Sequence, residues 1–174
     1  MDFCKRFQFE SMKRKIFICN TYHSVRKFLK KRFGNDHCIL ERHAALINPI
    51  DDPALIWKYI QEDNFEELIF TQDLDCIFFR DIILQKNELE FPQMTHLMNL
   101  YLENFEEIDK EAKVSSKIGA LYLAYLEEIV GALCKNPFLN ERINMGQLEI
   151  KGMFTQLQKE KSIEFKLNIA NQPL

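Results

Sequence analysis

The segment Phe65-Glu-Glu-Leu-Ile-Phe-Thr71 limits the possible folds more than any other in the chain. Its Leu68-Ile-Phe-Thr71 core does not alternate between apolar and polar residues. A strand wetted on one face alternates, whereas a strand buried on both faces does not, and such strands belong to parallel sheets covered on either side by helices. Two shorter runs precede it, Lys15-Ile-Phe-Ile-Cys19 and Cys38-Ile-Leu-Glu-Arg42, and both read as strands. Between these two, Ser24 to Phe33 reads as a helix. Ser24 stands in a capping position, Val25, Phe28 and Leu29 line one side, and Gly34 ends it. Residues 54–62 read as the next helix, with Leu55, Ile56, Tyr59 and Ile60 clustered at helical spacing. Cys76 to Leu84 begins another. Strands alternating with helices predict a three-layer α/β domain with a mainly parallel sheet.

The second half is more helical. An amphipathic stretch runs from Gln93 to Ala112, and Val114 to Cys134 is a long helix rich in Leu, Ala and Tyr. Asn136-Pro137 ends that helix and opens a short helical turn. Residues 147–155 and 162–167 then alternate apolar and polar, which predicts a hairpin or pair of C-terminal edge strands. The chain divides into a basic N-terminal arm, residues 1–14, and one domain over residues 15–174. A length of 174 residues suits one core of this kind.

Charge is unevenly spread. Residues 1–33 hold ten Lys or Arg against two acids, while the remainder holds thirteen against twenty-four, so a segment of +8 precedes a body of −11. This predicts docking of the arm on an acidic surface, a second copy of the chain included. Nucleic acid is the lesser reading, because no RNA or DNA motif accompanies the charge. No apolar run approaches ~18 residues, so no membrane span is expected. The first residues lack a signal peptide's apolar stretch, which points to the cytoplasm.

Open α/β sheets form their sites beyond the carboxyl ends of the strands. Two segments stand there, Cys19-Asn-Thr-Tyr-His23 and Gln72-Asp-Leu-Asp-Cys76. Only five glycines occur, with neither a GxGxxG nor a P-loop pattern, so Gly-rich phosphate-cradling loops are nearly excluded. The five cysteines, Cys4, Cys19, Cys38, Cys76 and Cys134, form no CxxC pair and no disulfide framework. A cysteine like Cys19 at a strand end is more often a small core residue than a ligand, and Asp73 is read first as a helix cap after the strand. His37, Cys38 and His43 do not make a convincing metal set.

The segment from Tyr125 to Phe154, with its Lys135-Asn-Pro-Phe-Leu139 turn and its Gly146-Gln-Leu-Glu-Ile-Lys-Gly-Met-Phe154 strand, resembles the end of the β-class carbonic anhydrases. The rest is similar in order. Ile16 to Cys19 looks like the family's first strand, which ends in the zinc-binding Cys of C-x-D-x-R. Arg42-His-Ala-Ala-Leu-Ile47 is similar to R-N-A-G-N-x. Leu68 to Cys76 stands where the family has a strand ending in G-H-x-x-C. The resemblance covers roughly residues 15–168.

The resemblance implies a zinc site at Cys19, Asp73 and Cys76. Asp73 would replace the family's His, while Thr21 and His23 stand where its Asp/Arg pair would be. A catalytic zinc takes three protein ligands and leaves one position open for water, whose pKa it lowers toward ~7. Two thiolates and a carboxylate carry one more negative charge than Cys, His and Cys, which weakens that effect. Thr21 and His23 cannot reproduce a carboxylate–guanidinium pair. The function implied is that of a β-carbonic-anhydrase-like protein with a degenerate site, at best a weak zinc-dependent hydratase of carbon dioxide. The alternatives are a catalytically inactive protein-binding module, and a binder of nucleic acid or acidic surfaces through the basic N-terminus. A homodimer or higher homo-oligomer is expected from the family's architecture.

Overall fold

The computed structural model describes residues 14–48, 52–85 and 92–167. The basic arm expected over residues 1–14 lies outside them except for Arg14, as do Cys4, part of the loop over 48–53, and Phe91. Five strands make one sheet: β1 (Lys15–Asn20), β2 (Cys38–Arg42), β3 (Glu67–Asp73), β4 (Glu149–Gln156) and β5 (Lys161–Lys166). Their order is β2-β1-β3-β4-β5. The first four run parallel, and β5 returns antiparallel beside β4. The α/β architecture read from the strand–helix order is therefore the one observed, with the expected strand pair at its C-terminal edge.

The helices are α1 (His23–Phe33), α2 (Asp52–Asp63), α3 (Ile77–Ile83), α4 (Pro92–Glu103), α5 (Phe105–Ile108), α6 (Val114–Cys134) and α7 (Pro137–Asn144). Several differ from the sequence reading. Ser24 does not cap α1, because the helix starts one residue earlier and Tyr22 takes the N-cap position without a side-chain bond. Gly34 ends α1 as expected; at φ +87 its N–H reaches the Lys30 carbonyl. β3 begins two residues later than the apolar run suggested. The stretch over 93–112 divides into α4 and α5 at Asn104, whose side chain bonds the Leu100 carbonyl at 2.9 Å. That bond competes with continuation of the helix. Asn136 caps α7 as read, accepting from Phe138 N and Leu139 N at 3.1 and 3.2 Å.

The sheet separates two apolar clusters. Ile16, Ile18, Leu68, Phe70 and Ile150 face the larger cluster with α2, α3, α4 and α6. Phe17, Ile69 and Met153 face a smaller one with Val25 and Leu29 of α1. Alternate residues of β1 and β3 thus point to opposite layers. Both sides are dry, so both parities must be apolar.

Candidate functional site at the carboxyl ends of β1 and β3

β1 and β3 are parallel neighbours, so the segments after their carboxyl ends meet. Cys76 sits there, at the N-cap of α3 and 1% exposed. Its sulfur receives the side-chain amide of Asn20, with Nδ2 at 3.5 Å. The Gln72 side chain and the backbone N–H groups of Phe79 and Phe78 lie near it, although α3 has no side-chain cap hydrogen bond. Burial pushes the Cys76 thiol up, and these four contacts draw it partly back. Asn20 and Gln72 are themselves buried, at 3% and 1% exposure.

Strand parity explains the trio. Asn20 follows Ile16 and Ile18 on the α3 side of β1, and Gln72 follows Leu68 and Phe70 on the same side of β3. Gln72 also donates to the Asp73 carbonyl at 3.0 Å, while its Oε1 has no hydrogen-bond partner among the described residues. Tyr22 and Phe78 stack beside the trio with centroids 6.1 Å apart and planes at 7°. His43 lies 4.3 Å from the Phe78 ring.

The remaining residues named from the sequence fall elsewhere. Cys19 is fully buried on the α1 side among Phe17, Val25, Leu29, Ile69 and Met153. Burial pushes its thiol up to about 12, helped by the Glu41 carboxylate and opposed by Arg26. Asp73 accepts from Thr155 Oγ1 and Leu157 N, both at 3.3 Å, and ties the end of β3 to the end of β4. Burial, more than the nearby Asp75, raises its carboxyl above the usual range against these bonds. Thr21 is exposed and bonds Asn20 Oδ1 at 3.3 Å. His23 is exposed at the start of α1. Among the described residues no three His, Cys, Asp or Glu side chains come together as a metal site. Cys19 and Asp73 therefore do not join Cys76 in the set that the resemblance implied. The physical reason is the pleat, which turns residues 19 and 73 to the face opposite Cys76.

The R-N-A-G-N-like segment follows β2. Arg42 grips Asp52 through Nε and Nη2, with Nη2 at 2.7 Å, and Asp52 also accepts from Asn48 N at 2.7 Å. Ala44 and Ala45 take φ of +53 and +60. The backbone thus keeps a left-handed turn that glycine would enter at less cost. Ile47 N donates to the buried Tyr125 hydroxyl at 2.7 Å, which fixes the segment against α6.

The fold agrees with structures of one enzyme class. A tetrameric β-carbonic anhydrase of the filamentous ascomycete Sordaria macrospora superposes at a TM-score of 0.72 and 16% identity, over 87% of this chain and 80% of that one. The fold is that of the β-carbonic anhydrases. CafA of Aspergillus fumigatus, another β-carbonic anhydrase, gives 0.72 at 14% identity over 92% and 77% of the two chains. The Coccomyxa β-carbonic anhydrase solved with acetazolamide gives 0.67 at 11% identity over 87% and 71%. No family model and no curated protein sequence matches the chain.

The class implies zinc, so the donors facing Cys76 decide whether it fits here. Zinc in proteins is held by thiolate, imidazole and carboxylate. The pocket offers one thiol and two neutral amides, and the Asn20 NH2 group donates into the sulfur. A metal ion needs that lone pair, and an NH2 group supplies none in return. The residues present do not fit zinc. Asn20 and Gln72 were not singled out from the sequence. In β1 and β3 both faces are apolar, so the pattern carries no phase, and the one signal available is an uncharged amide at the last residue of β1, Asn20, and at the last but one of β3, Gln72.

Proposed function

We propose that this chain is a β-carbonic-anhydrase-fold protein without hydratase chemistry, which acts as a protein-binding module. The observation that carries this reading is the Asn20 Nδ2 donor at 3.5 Å from Cys76 Sγ. A hydratase of this kind needs a Lewis acid to make hydroxide near neutral pH. In this pocket the sulfur is already engaged by the Asn20 amide, and the exposed Thr21 and His23 offer no oriented carboxylate. The weak-hydratase reading has no donor set to support it.

The binding role, a homodimer or higher homo-oligomer included, is supported by apolar side chains left on the surface. Ile163 on the edge strand β5 is 71% exposed, and Phe138 of α7 is half exposed while stacking on Trp57 at 5.2 Å. Among the described residues no helix is long and apolar enough to cross a membrane.

The test is metal analysis and carbon dioxide hydration on the full chain purified without chelator. The expected result is no stoichiometric zinc and no hydration above the buffer rate. Stoichiometric zinc together with hydration that chelator abolishes would overturn the proposal.

A further inference from the structure

α1 packs Val25 and Leu29 onto the side of the sheet opposite α2, α3, α4 and α6. Its outward side is basic throughout. Arg26, Lys27, Lys30, Lys31 and Arg32 are all exposed, and the helix contains no acid. Arg26 is balanced by Glu41 at 3.5 Å and Lys31 by Glu160 at 2.7 Å. Lys27, Lys30 and Arg32 have no carboxylate at ion-pair distance among the described residues. Between α1 and the turn leading into β5 lies a hollow of about 170 Å³, lined by Phe28, Lys31, Arg32 and Glu160. That volume has room for one apolar side chain.

The complementary surface lies on the other side of the sheet, where α4 and Ile108 of α5 join the larger cluster. Residues 103–111 carry Glu103, Glu106, Glu107, Asp109 and Glu111, all exposed, against Lys110 alone. Lys117 pairs with Asp109, and the other four acids have no ion-pair partner among the described residues. Apolar side chains stand among them, with Leu102 58% and Phe105 38% exposed.

We infer that the α1 face of one copy of this chain binds the acidic α4–α5 corner of a second copy, in a head-to-tail contact. The inference names a partner for the binding role proposed above and rests on that reading. Within one chain the sheet stands between the two surfaces, so α1 cannot satisfy its own corner. A twofold interface sets a patch against the same patch, which here means basic on basic or acidic on acidic. The contact is therefore heterologous, and such contacts continue from copy to copy. A net charge of only −3 opposes this weakly. Nucleic acid is the poorer occupant. Its phosphates would meet Glu160 in the hollow and Glu41 beside Arg26, and its backbone brings no apolar side chain, whereas the corner brings Leu102.

The test is sedimentation velocity on the full chain at low salt and at about 1 M salt, where charges are screened beyond ~3 Å. The expected result at low salt is an average mass that rises with concentration past that of a dimer, and that falls back at high salt. Two charge reversals are compared, Lys27→Glu/Lys30→Glu and Glu103→Lys/Glu106→Lys. Both change exposed residues that form no ion pair within the chain, and circular dichroism confirms that each variant is folded. Each alone should stay at the mass the parent shows in high salt. An equal mixture of the two should regain growth, because each then carries the charge that the other's surfaces need. Leu102→Ser, which alters no charge, should shift growth to higher concentration, and it decides together with the parent's salt response if a reversal misfolds. A parent that stays monomeric or stops at a dimer in low salt overturns the inference. So does growth that persists in either reversal, a mixture that does not recover, or a parent that remains monomeric while binding a short DNA duplex. These failures leave the metal-free reading standing, whereas stoichiometric zinc with hydration in the parent would remove that reading and leave the mass measurements untouched.

Discussion

The Phe165 ring on β5 covers Gly152 on β4, its register partner, so closely that a Cβ at position 152 would come within 2.2 Å of the ring. The ring continues to Phe154, with centroids 4.9 Å apart, and Phe154 continues to Tyr122 of α6 at 6.2 Å. A ring lying over a strand glycine fills the space that the missing side chain leaves. The contact is therefore what seats the antiparallel edge strand on the parallel sheet.

Gly152→Ala is expected to destabilise the protein by about 1–3 kcal/mol, the usual cost of overpacking a filled site. Phe165→Leu alone also loses stability, but in the Gly152→Ala background it should cost much less, because the smaller side chain makes room. Urea unfolding of the four proteins in a double-mutant cycle measures the coupling. Additive losses would show that the ring and the glycine do not share this space.

Acid should weaken the amino end of the sheet. Glu67 on β3 is buried between Lys15 on β1 and Lys151 on β4, the latter at 2.8 Å. Burial pushes its carboxyl up, but hydrogen bonds and charge from Lys15 and Lys151 outweigh this and hold it below its ordinary 4.5. A carboxyl depressed in the folded state contributes stability that is fully present above its unfolded value and lost as pH falls through the folded value. Glu67→Gln should therefore be less stable than the parent at neutral pH, by about 2 kcal/mol for losing charged hydrogen bonds. The difference should shrink as pH drops below 4.5. Urea midpoints across that range check it, and a difference independent of pH would contradict the assignment.

The cysteines should divide by layer and depth. With its thiol raised to about 12, Cys19 holds about a thousandfold less thiolate at neutral pH than a thiol at the ordinary 9.0. Cys76 is as deeply buried, whereas Cys38 and Cys134 are only partly covered. Iodoacetamide acts on the thiolate and needs access. In the folded protein, peptide mass spectrometry should find Cys38 and Cys134 alkylated long before Cys19 and Cys76, with all four alike in urea. Rapid native labelling of Cys19 would mean that β1 opens far more readily than its burial implies.

Local pattern was enough to reveal the order of elements. The dry run at Leu68-Ile-Phe70 demanded a parallel, doubly covered sheet, and Gly34 and Asn136-Pro137 marked helix ends through chemistry that acts within a few residues. The same dryness hid the site. In a strand wet on one side, polarity marks which parity faces the core, and here both parities of β1 and β3 are apolar. Cys19 and Asn20, like Gln72 and Asp73, are adjacent in sequence but point to opposite layers of the domain. Which of each pair meets Cys76 depends on the pleat phase of two strands and on where α3 begins. Those are set by how the helices pack on the two faces, an arrangement of residues far apart in the chain. The α/β order and the two strand ends where a site would lie are legible in local pattern. That the Asn20 amide, and not the Cys19 thiol, meets the Cys76 sulfur follows from packing between elements far apart in the chain.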